Sequence, residues 1–326
     1  MNTSGRRIVT LLFRRVGDTL LATPALRAIK KAYPDAMLEV LAEPQVERVF
    51  LYNPWVDKLT IAREVTAIQL ARRLRSTGRP NAVVDFLSDP RSAIACFLSR
   101  SPARVGFAQT FRRRFYTRCV AQQNPRNPVY SAQHKLGLAY AIGARGDDDR
   151  TDFFLAEADR EWGKQEWESR GWTDDTPSVA FFVHSRRIHK RWPLERFVKV
   201  IQHVDRELGW RPIILNTPGD DESAAALRNG GFVGPDSLLT IHDLGQLGDA
   251  LSKCALLVGN DGGPKHLAVA LNVPTLTIFG SDRPEYWTPP HSDLHHVVAP
   301  SGGGSIQQVD ADSAIHMLDN MAAALK

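Results

Sequence analysis

Several absences narrow the reading of this 326-residue chain. Cysteine is scarce, with three residues at Cys96, Cys119 and Cys254 and no metal-ligand spacing among them. A disulfide scaffold and a structural zinc module are therefore set aside, and buried free thiols are expected. Long hydrophobic runs are missing. The apolar stretch near the start, Ile8 to Phe13, is too short for a signal peptide or a membrane span, so a cytoplasmic protein is expected. The turn after that stretch lacks the G-x-G-x-x-G of a dinucleotide site and offers only Gly17. No repeat or low-complexity tract occurs beyond Gly302 to Gly304. Helix-turn-helix, zinc-finger and RNA-recognition signatures are missing too, which ranks nucleic acid low as a partner.

What is present is the composition of an ordinary soluble globular protein, 43% hydrophobic and 24% charged. At this length two domains are the default. Charge is divided unevenly: residues 1–165 hold 27 Lys+Arg against 16 Asp+Glu, and the remainder 14 against 20, so +11 and −6 make up the net +5. A basic half of that size suits an anionic membrane surface or a phosphorylated substrate, because its field raises local concentration and association rate.

Apolar runs at Arg7 to Phe13, Met37 to Leu41, Lys58 to Ile61, Ala82 to Phe86 and Ala103 to Phe107 read as strands. A loop and helix at Arg14 to Pro34 and helical patterns at Thr66 to Ser76 and Arg91 to Leu98 separate them. Composition turns to Gly and Asp at Gly143 to Asp149, and a helix-like stretch from Glu157 to Arg170 leads to a junction at Gly171 to Pro177. Alternation then restarts with strands at Ser178 to His184 and Arg211 to Asn216, and a terminal helix runs from Asp310 to Leu325. The fold class is α/β, with mostly parallel sheets and helices on both faces.

Five stretches carry chemistry. In Leu256 to Gly280 a strand stops at Asn260-Asp-Gly-Gly-Pro-Lys-His266, a helix follows, and a second strand opens at Val273. Gly262 and Gly263 would let the backbone approach a ligand, and the free N–H groups of a helix start attract anions. A tight turn needing glycine only for geometry is the alternative. The loop Ser185-Arg-Arg-Ile-His-Lys-Arg-Trp-Pro193 sets four cations at a strand's carboxyl end, which suits a diphosphate. Asp18 stands at a helix entrance, as a cap or as a general base. Asp220-Asp-Glu222 opens a helix, where a carboxylate would cap it or hold a ribose hydroxyl. Between Arg100 and Arg118, Arg112, Arg113 and Arg114 interleave with Phe107, Phe111, Phe115 and Tyr116, as a solvated face or as an anionic interface.

Gly17-Asp-Thr-Leu-Leu-Ala-Thr-Pro to Tyr33-Pro34, Val84-Asp-Phe with Arg91-Ser92 and Arg104-Val-Gly-Phe107, Lys190-Arg-Trp-Pro193 and Asn260-Asp-Gly-Gly-Pro-Lys-His-Leu-Ala268 occur in this order. Together they resemble the bacterial ADP-heptose:lipopolysaccharide heptosyltransferases, a glycosyltransferase family, over nearly the whole chain. The resemblance implies a GT-B architecture of two Rossmann-like domains facing a central cleft. Residues 1–160 would bind the acceptor, 161–177 link, 178–310 bind the nucleotide-sugar donor, and 311–326 form a helix returning toward the first domain. It further implies inversion at the anomeric carbon, no required metal or other cofactor, ADP-heptose as donor, and an anionic lipid-linked saccharide acceptor. The protein would then work peripherally at the inner face of the inner membrane.

Residue by residue, Asp18 matches the catalytic base and Lys190 the lysine beside the donor diphosphate. Ser185 opens the donor-side loop, Asp261, Gly262, Gly263 and His266 form the donor loop, and Glu222 falls near the donor nucleoside. Two departures stand out: the family has Thr where Gly262 stands and Met or Ser where Lys265 stands, so a hydroxyl is lost and a cation gained close to the phosphates. Other readings are a transferase using another nucleotide sugar for a different surface glycan, a GT-B nucleotide-sugar epimerase, and a paralogue that binds without turnover.

Overall fold

Each half of the chain contains strands that are buried along their whole length, as parallel strands are when both faces of the sheet are covered. The computed structural model describes residues 5–13, 15–63, 66–217, 221–230 and 234–325. Arg14 and Asp220, which begin two of the stretches read above, lie outside the described residues. The chain divides into two compact units, Met1–Phe154 and Leu155–Lys326.

The first unit holds a parallel sheet of β1 (Arg7–Leu12), β2 (Met37–Ala42), β3 (Lys58–Ile61), β4 (Ala82–Asp85), β5 (Ala103–Phe107) and β6 (Arg118–Val120), in the order β3-β2-β1-β4-β5-β6. All six residues of β1 are buried, and Val9 lies opposite Glu39 on one side and Val83 on the other. The second unit repeats this plan with β7 (Ser178–Phe182), β8 (Arg211–Asn216), β9 (Leu238–Thr240), β10 (Leu256–Asn260), β11 (Thr275–Ile278) and β12 (His295–Val298), in the order β12-β11-β10-β7-β8-β9. Counted from its own first strand, each sheet runs 3-2-1-4-5-6. Winding therefore reverses between β1 and β4 and between β7 and β10, and open α/β sheets bind ligands beyond the carboxyl ends of such strands.

Some local expectations change. The stretch Arg14 to Pro34, read as a loop and a helix, holds two helices, Val16–Leu20 and Thr23–Ala32. Thr23 Oγ1 donates to the Leu20 carbonyl, and Pro24 has no N–H with which to continue the first helix. The strands β6 and β9 were not read from sequence, because three residues are too few to show a period. The helices Ser131–Ala141 and Leu244–Ser252 were also missed, although Asp243 signals the second by accepting from the N–H groups of Gly245 and Gln246. Cys96 and Cys254 are buried as expected, but Cys119 is exposed, since it lies on the edge strand β6.

The Gly/Asp segment after the helix Ser131–Ala141 is pinned within the first unit. Arg27, 3% exposed, reaches Asp147, Asp148 and Asp152 and the carbonyls of Asp148 and Arg150. Residues 161–177, read as a linker, contain the second half of the helix Glu157–Ser169 and the turn after it. That helix packs against Leu244–Ser252 at glycine contacts: a Cβ on Gly163 would fall 1.5 Å from an Asp249 carboxylate oxygen, and one on Gly245 2.1 Å from Asp159. The terminal helix, Ala311–Leu325, commits Ala314, Leu318, Met321 and Ala322 to the core of the second unit.

Candidate functional site

In the second unit the sheet reversal brings two loops together, the one after β7 and the one after β10. The first is anchored by its aromatic residue. Trp192, 2% exposed, donates from Nε1 to the Val309 carbonyl and packs edge-on against Phe197. Asn260, the last residue of β10, fastens the same loop from the other side: its Oδ1 accepts from the Trp192 N–H at 3.1 Å, and its Nδ2 donates to the Val183 carbonyl at 2.9 Å. Lys190 is thereby held over the β10 loop, with Nζ 2.5 Å from Asp261 and 2.7 Å from Asp282.

Electrostatics follow from burial and pairing. Burial pulls the Lys190 pKa down, but Asp261 and Asp282 more than offset it and leave it raised. Burial likewise pushes Asp261 up, yet Lys265, His266 and Lys190 together hold it at about 2. Lys265, 1% exposed, is brought down to about 8 by burial, partly countered by Asp261. His266 is 6% exposed, lies 4.0 Å from Asp261 Oδ1 and meets the Trp287 ring edge-on.

The remaining expected donor residues are placed less tightly. Ser185 Oγ accepts from the Arg187 N–H at 3.3 Å, and its carbonyl accepts from Arg191 Nε. Glu222 is exposed in the first turn of the helix Asp221–Asn229. Gly262 is the N-cap of the helix Gly263–Ala270, with an extended φ of −172°. A Cβ there would meet nothing closer than 3.9 Å, so neither conformation nor space requires glycine at 262. The structure thus removes the geometric argument made from sequence for Gly262, while the free N–H groups at this helix start keep their affinity for anions.

In the first unit, Asp18 lies in the helix after β1. The N-cap there is Arg15, without a side-chain capping bond, and the Asp18 carboxylate meets Lys135 Nζ at 3.6 Å. Lys135, 9% exposed on the helix Ser131–Ala141, was not picked out from sequence. The loop after β4 brings Arg91 over the Phe13 ring, 4.9 Å from its centroid, and 3.4 Å from Glu43.

Arg112, Arg113 and Arg114 form a short 3-10 turn. The acids closest to them in sequence are engaged elsewhere: Asp85 accepts from Tyr116 Oη at 2.7 Å, and Asp89 caps the helix Pro90–Leu98 through the Ser92 N–H. Arg112 Nε donates to the Ser88 carbonyl. Among the described residues, no carboxylate forms an ion pair with Arg112, Arg113 or Arg114.

Two units of Rossmann order, with a lysine–aspartate cluster at the reversal of the second sheet, give the chain the GT-B fold. Residues 67–316 match glycosyltransferase family 9 (heptosyltransferase), and the chain belongs to that family. Lipopolysaccharide heptosyltransferase 3 of Escherichia coli K12 is 24% identical over 288 residues, 84% of this chain and 82% of that protein. Among solved structures, a family 9 glycosyltransferase from Veillonella parvula superposes with a TM-score of 0.86 at 21% identity, covering 99% of both chains. The ADP-heptose lipopolysaccharide heptosyltransferase II of E. coli gives 0.78 at 18%, covering 98% of this chain and 99% of that one.

Proposed function

We propose that this chain transfers a heptose from ADP-heptose to the inner core of lipopolysaccharide, inverting the anomeric carbon without a required metal. The observation that carries the reading is the meeting of the loops after β7 and β10. Lys190 and Asp261, 71 residues apart, are joined at 2.5 Å beside the start of the helix Gly263–Ala270. A cation and unpaired helical N–H groups in one place are what a departing nucleoside diphosphate needs, because negative charge builds there as the glycosidic bond breaks. Asp261 and His266 orient the sugar, and Ser185 and Glu222 contribute to donor binding.

A sugar hydroxyl is a weak nucleophile near neutral pH. Asp18 accepts its proton as it attacks, and general-base catalysis of this kind contributes about 10²–10⁴-fold. Lys135 Nζ lies 3.6 Å from the same carboxylate. Arg112, Arg113 and Arg114, which lack carboxylate partners among the described residues, receive the phosphates and carboxylates of a lipid-linked acceptor at the inner face of the inner membrane. No helix among the described residues is long and apolar enough to cross that membrane, so attachment in this reading is peripheral.

The test is mass spectrometry of products formed from ADP-heptose or competing nucleotide sugars with a truncated lipopolysaccharide acceptor. A heptose adduct is expected from ADP-heptose, and Asp18→Asn should abolish it while donor affinity stays near wild type. A different sugar on the acceptor would replace the donor assignment. Isomerisation of the donor alone would point to an epimerase, and normal turnover by Asp18→Asn would remove the base.

A further inference from the structure

We propose that Lys265 is a built-in counter-ion for Asp261, which allows Lys190 to leave its two carboxylates and take the diphosphate of a sugar nucleotide; this rests on the donor reading above. Lys265 is the one lysine among the largest fully buried side chains of the described residues. It lies one helical turn beyond Asp261, with Nζ 3.4 Å from Oδ1. The ammonium donates to the Trp287 carbonyl and stands 5.5 Å from the centroid of the Phe279 ring. It is therefore turned inward and is not itself a phosphate ligand, which changes what the replacement of Met or Ser by Lys achieves at this position.

The charge balance shows what it does achieve. Asp261 and Asp282 both lie against Lys190. These three groups alone carry a net negative charge where a diphosphate must bind, and their one cation is already held by both carboxylates. Asp261 is 6% exposed, and its Oδ1 has no hydrogen-bond donor. Were Lys190 to turn to a ligand, that carboxylate would be left buried and unpaired, a state that is strongly unfavourable. Lys265 faces this same Oδ1, brings the cluster to neutrality and stays behind when Lys190 moves.

Of the other groups around Lys265, His266 also supports the Asp261 carboxylate, though less than Lys265 does. His295 of β12 is held at about 4 by burial and by Lys265 itself, so it is neutral near pH 7. Trp287 offers a carbonyl and Phe279 a ring face. His266 lies farther from Oδ1 than Lys265 does, at 4.0 Å. Lys265, brought down to about 8 by burial, loses its charge as pH rises through that value, while Lys190 keeps its own.

The experiment compares wild type and Lys265→Met in calorimetric titrations with ADP, UDP, adenosine and inorganic pyrophosphate. Lys265→Met should weaken ADP and pyrophosphate by about tenfold or more, the scale of one charge-assisted contact, and leave adenosine unchanged. Adding Asp282→Asn, which frees Lys190 from one carboxylate, should restore most of the loss. Wild-type ADP affinity should also fall as pH is raised from 7 to 9, which needs no variant. Equal diphosphate affinity of the two proteins, a loss that Asp282→Asn leaves in place, or flat wild-type affinity across that pH range would overturn the inference. Preference for UDP over ADP would remove the donor assignment but leave the counter-ion role standing. A wild type that binds no diphosphate at all overturns both.

Discussion

Replacing Asn260 by Ala tests whether one buried amide holds the Lys190 loop in place. The side chain is 2% exposed and satisfies two backbone groups of that loop, the Trp192 N–H at 3.1 Å and the Val183 carbonyl at 2.9 Å. Val183 and Trp192 are themselves buried. Alanine would leave both groups without partners, and each buried group so stranded costs about 1–3 kcal/mol. Allowing for relaxation of the loop, a loss of about 2–5 kcal/mol in the second unit is expected. The two units need not unfold together, so the readout must be local. Hydrogen exchange of amides 179–192 should accelerate, urea unfolding of the second unit should shift to lower denaturant, and ADP affinity should fall with Lys190 no longer held over Asp261. Asn260→Asp keeps the acceptor for Trp192 but sets a carboxylate against the Val183 carbonyl, and should do no better. A stability loss below about 1 kcal/mol with unchanged exchange would show that Trp192 and Pro193 hold the loop without the amide.

Three other outcomes follow from the structure. Burial raises the Asp249 pKa from 3.8 to about 6, so its contribution is full below about pH 4 and is lost as pH rises through about 6; at about 1.36 kcal/mol per pH unit, up to about 3 kcal/mol is involved. Asp249→Asn should therefore flatten the fall in thermal stability between pH 4 and 8, and an unaltered slope would refute the assignment. Because a Cβ at Gly262 meets nothing closer than 3.9 Å and the backbone is extended, Gly262→Thr should fold as well as wild type; a melting temperature lowered by more than a few degrees would contradict the open space. Replacing Arg112, Arg113 and Arg114 together with serine should raise the acceptor KM and weaken binding to anionic liposomes, at about 1 kcal/mol per residue, with the donor KM unmoved. Unchanged acceptor kinetics and liposome binding would mark the three as a solvated face only.

Much of the fold was legible because parallel strands are buried on both faces. Runs such as Ile8 to Leu12 and Leu256 to Val258 need no period to be recognised. Short edge strands escaped for the opposite reason: Arg118–Val120 is largely exposed and three residues long. The helix Ser131–Ala141 escaped because it opens on no capping side chain. At the site, the loops bearing Lys190 and Asp261 were visible from local composition alone. Asp282, the partner of Lys190, and Lys135, the partner of Asp18, were not, since they belong to stretches with no motif of their own.

The sequence by itself determined two α/β units, the positions of the turn-forming and charged loops, and the family to which their order belongs. Those properties depend on residues near one another in the chain, where periodicity, glycine and proline act. Tertiary structure alone decided which charges meet. It set Lys190 between two aspartates, gave Asp18 a lysine, pointed Lys265 inward and left Gly262 in open space. Coulomb energy and burial depend on distances through space, and the order of the strands, reversing between β7 and β10, brought residues 71 positions apart within 2.5 Å.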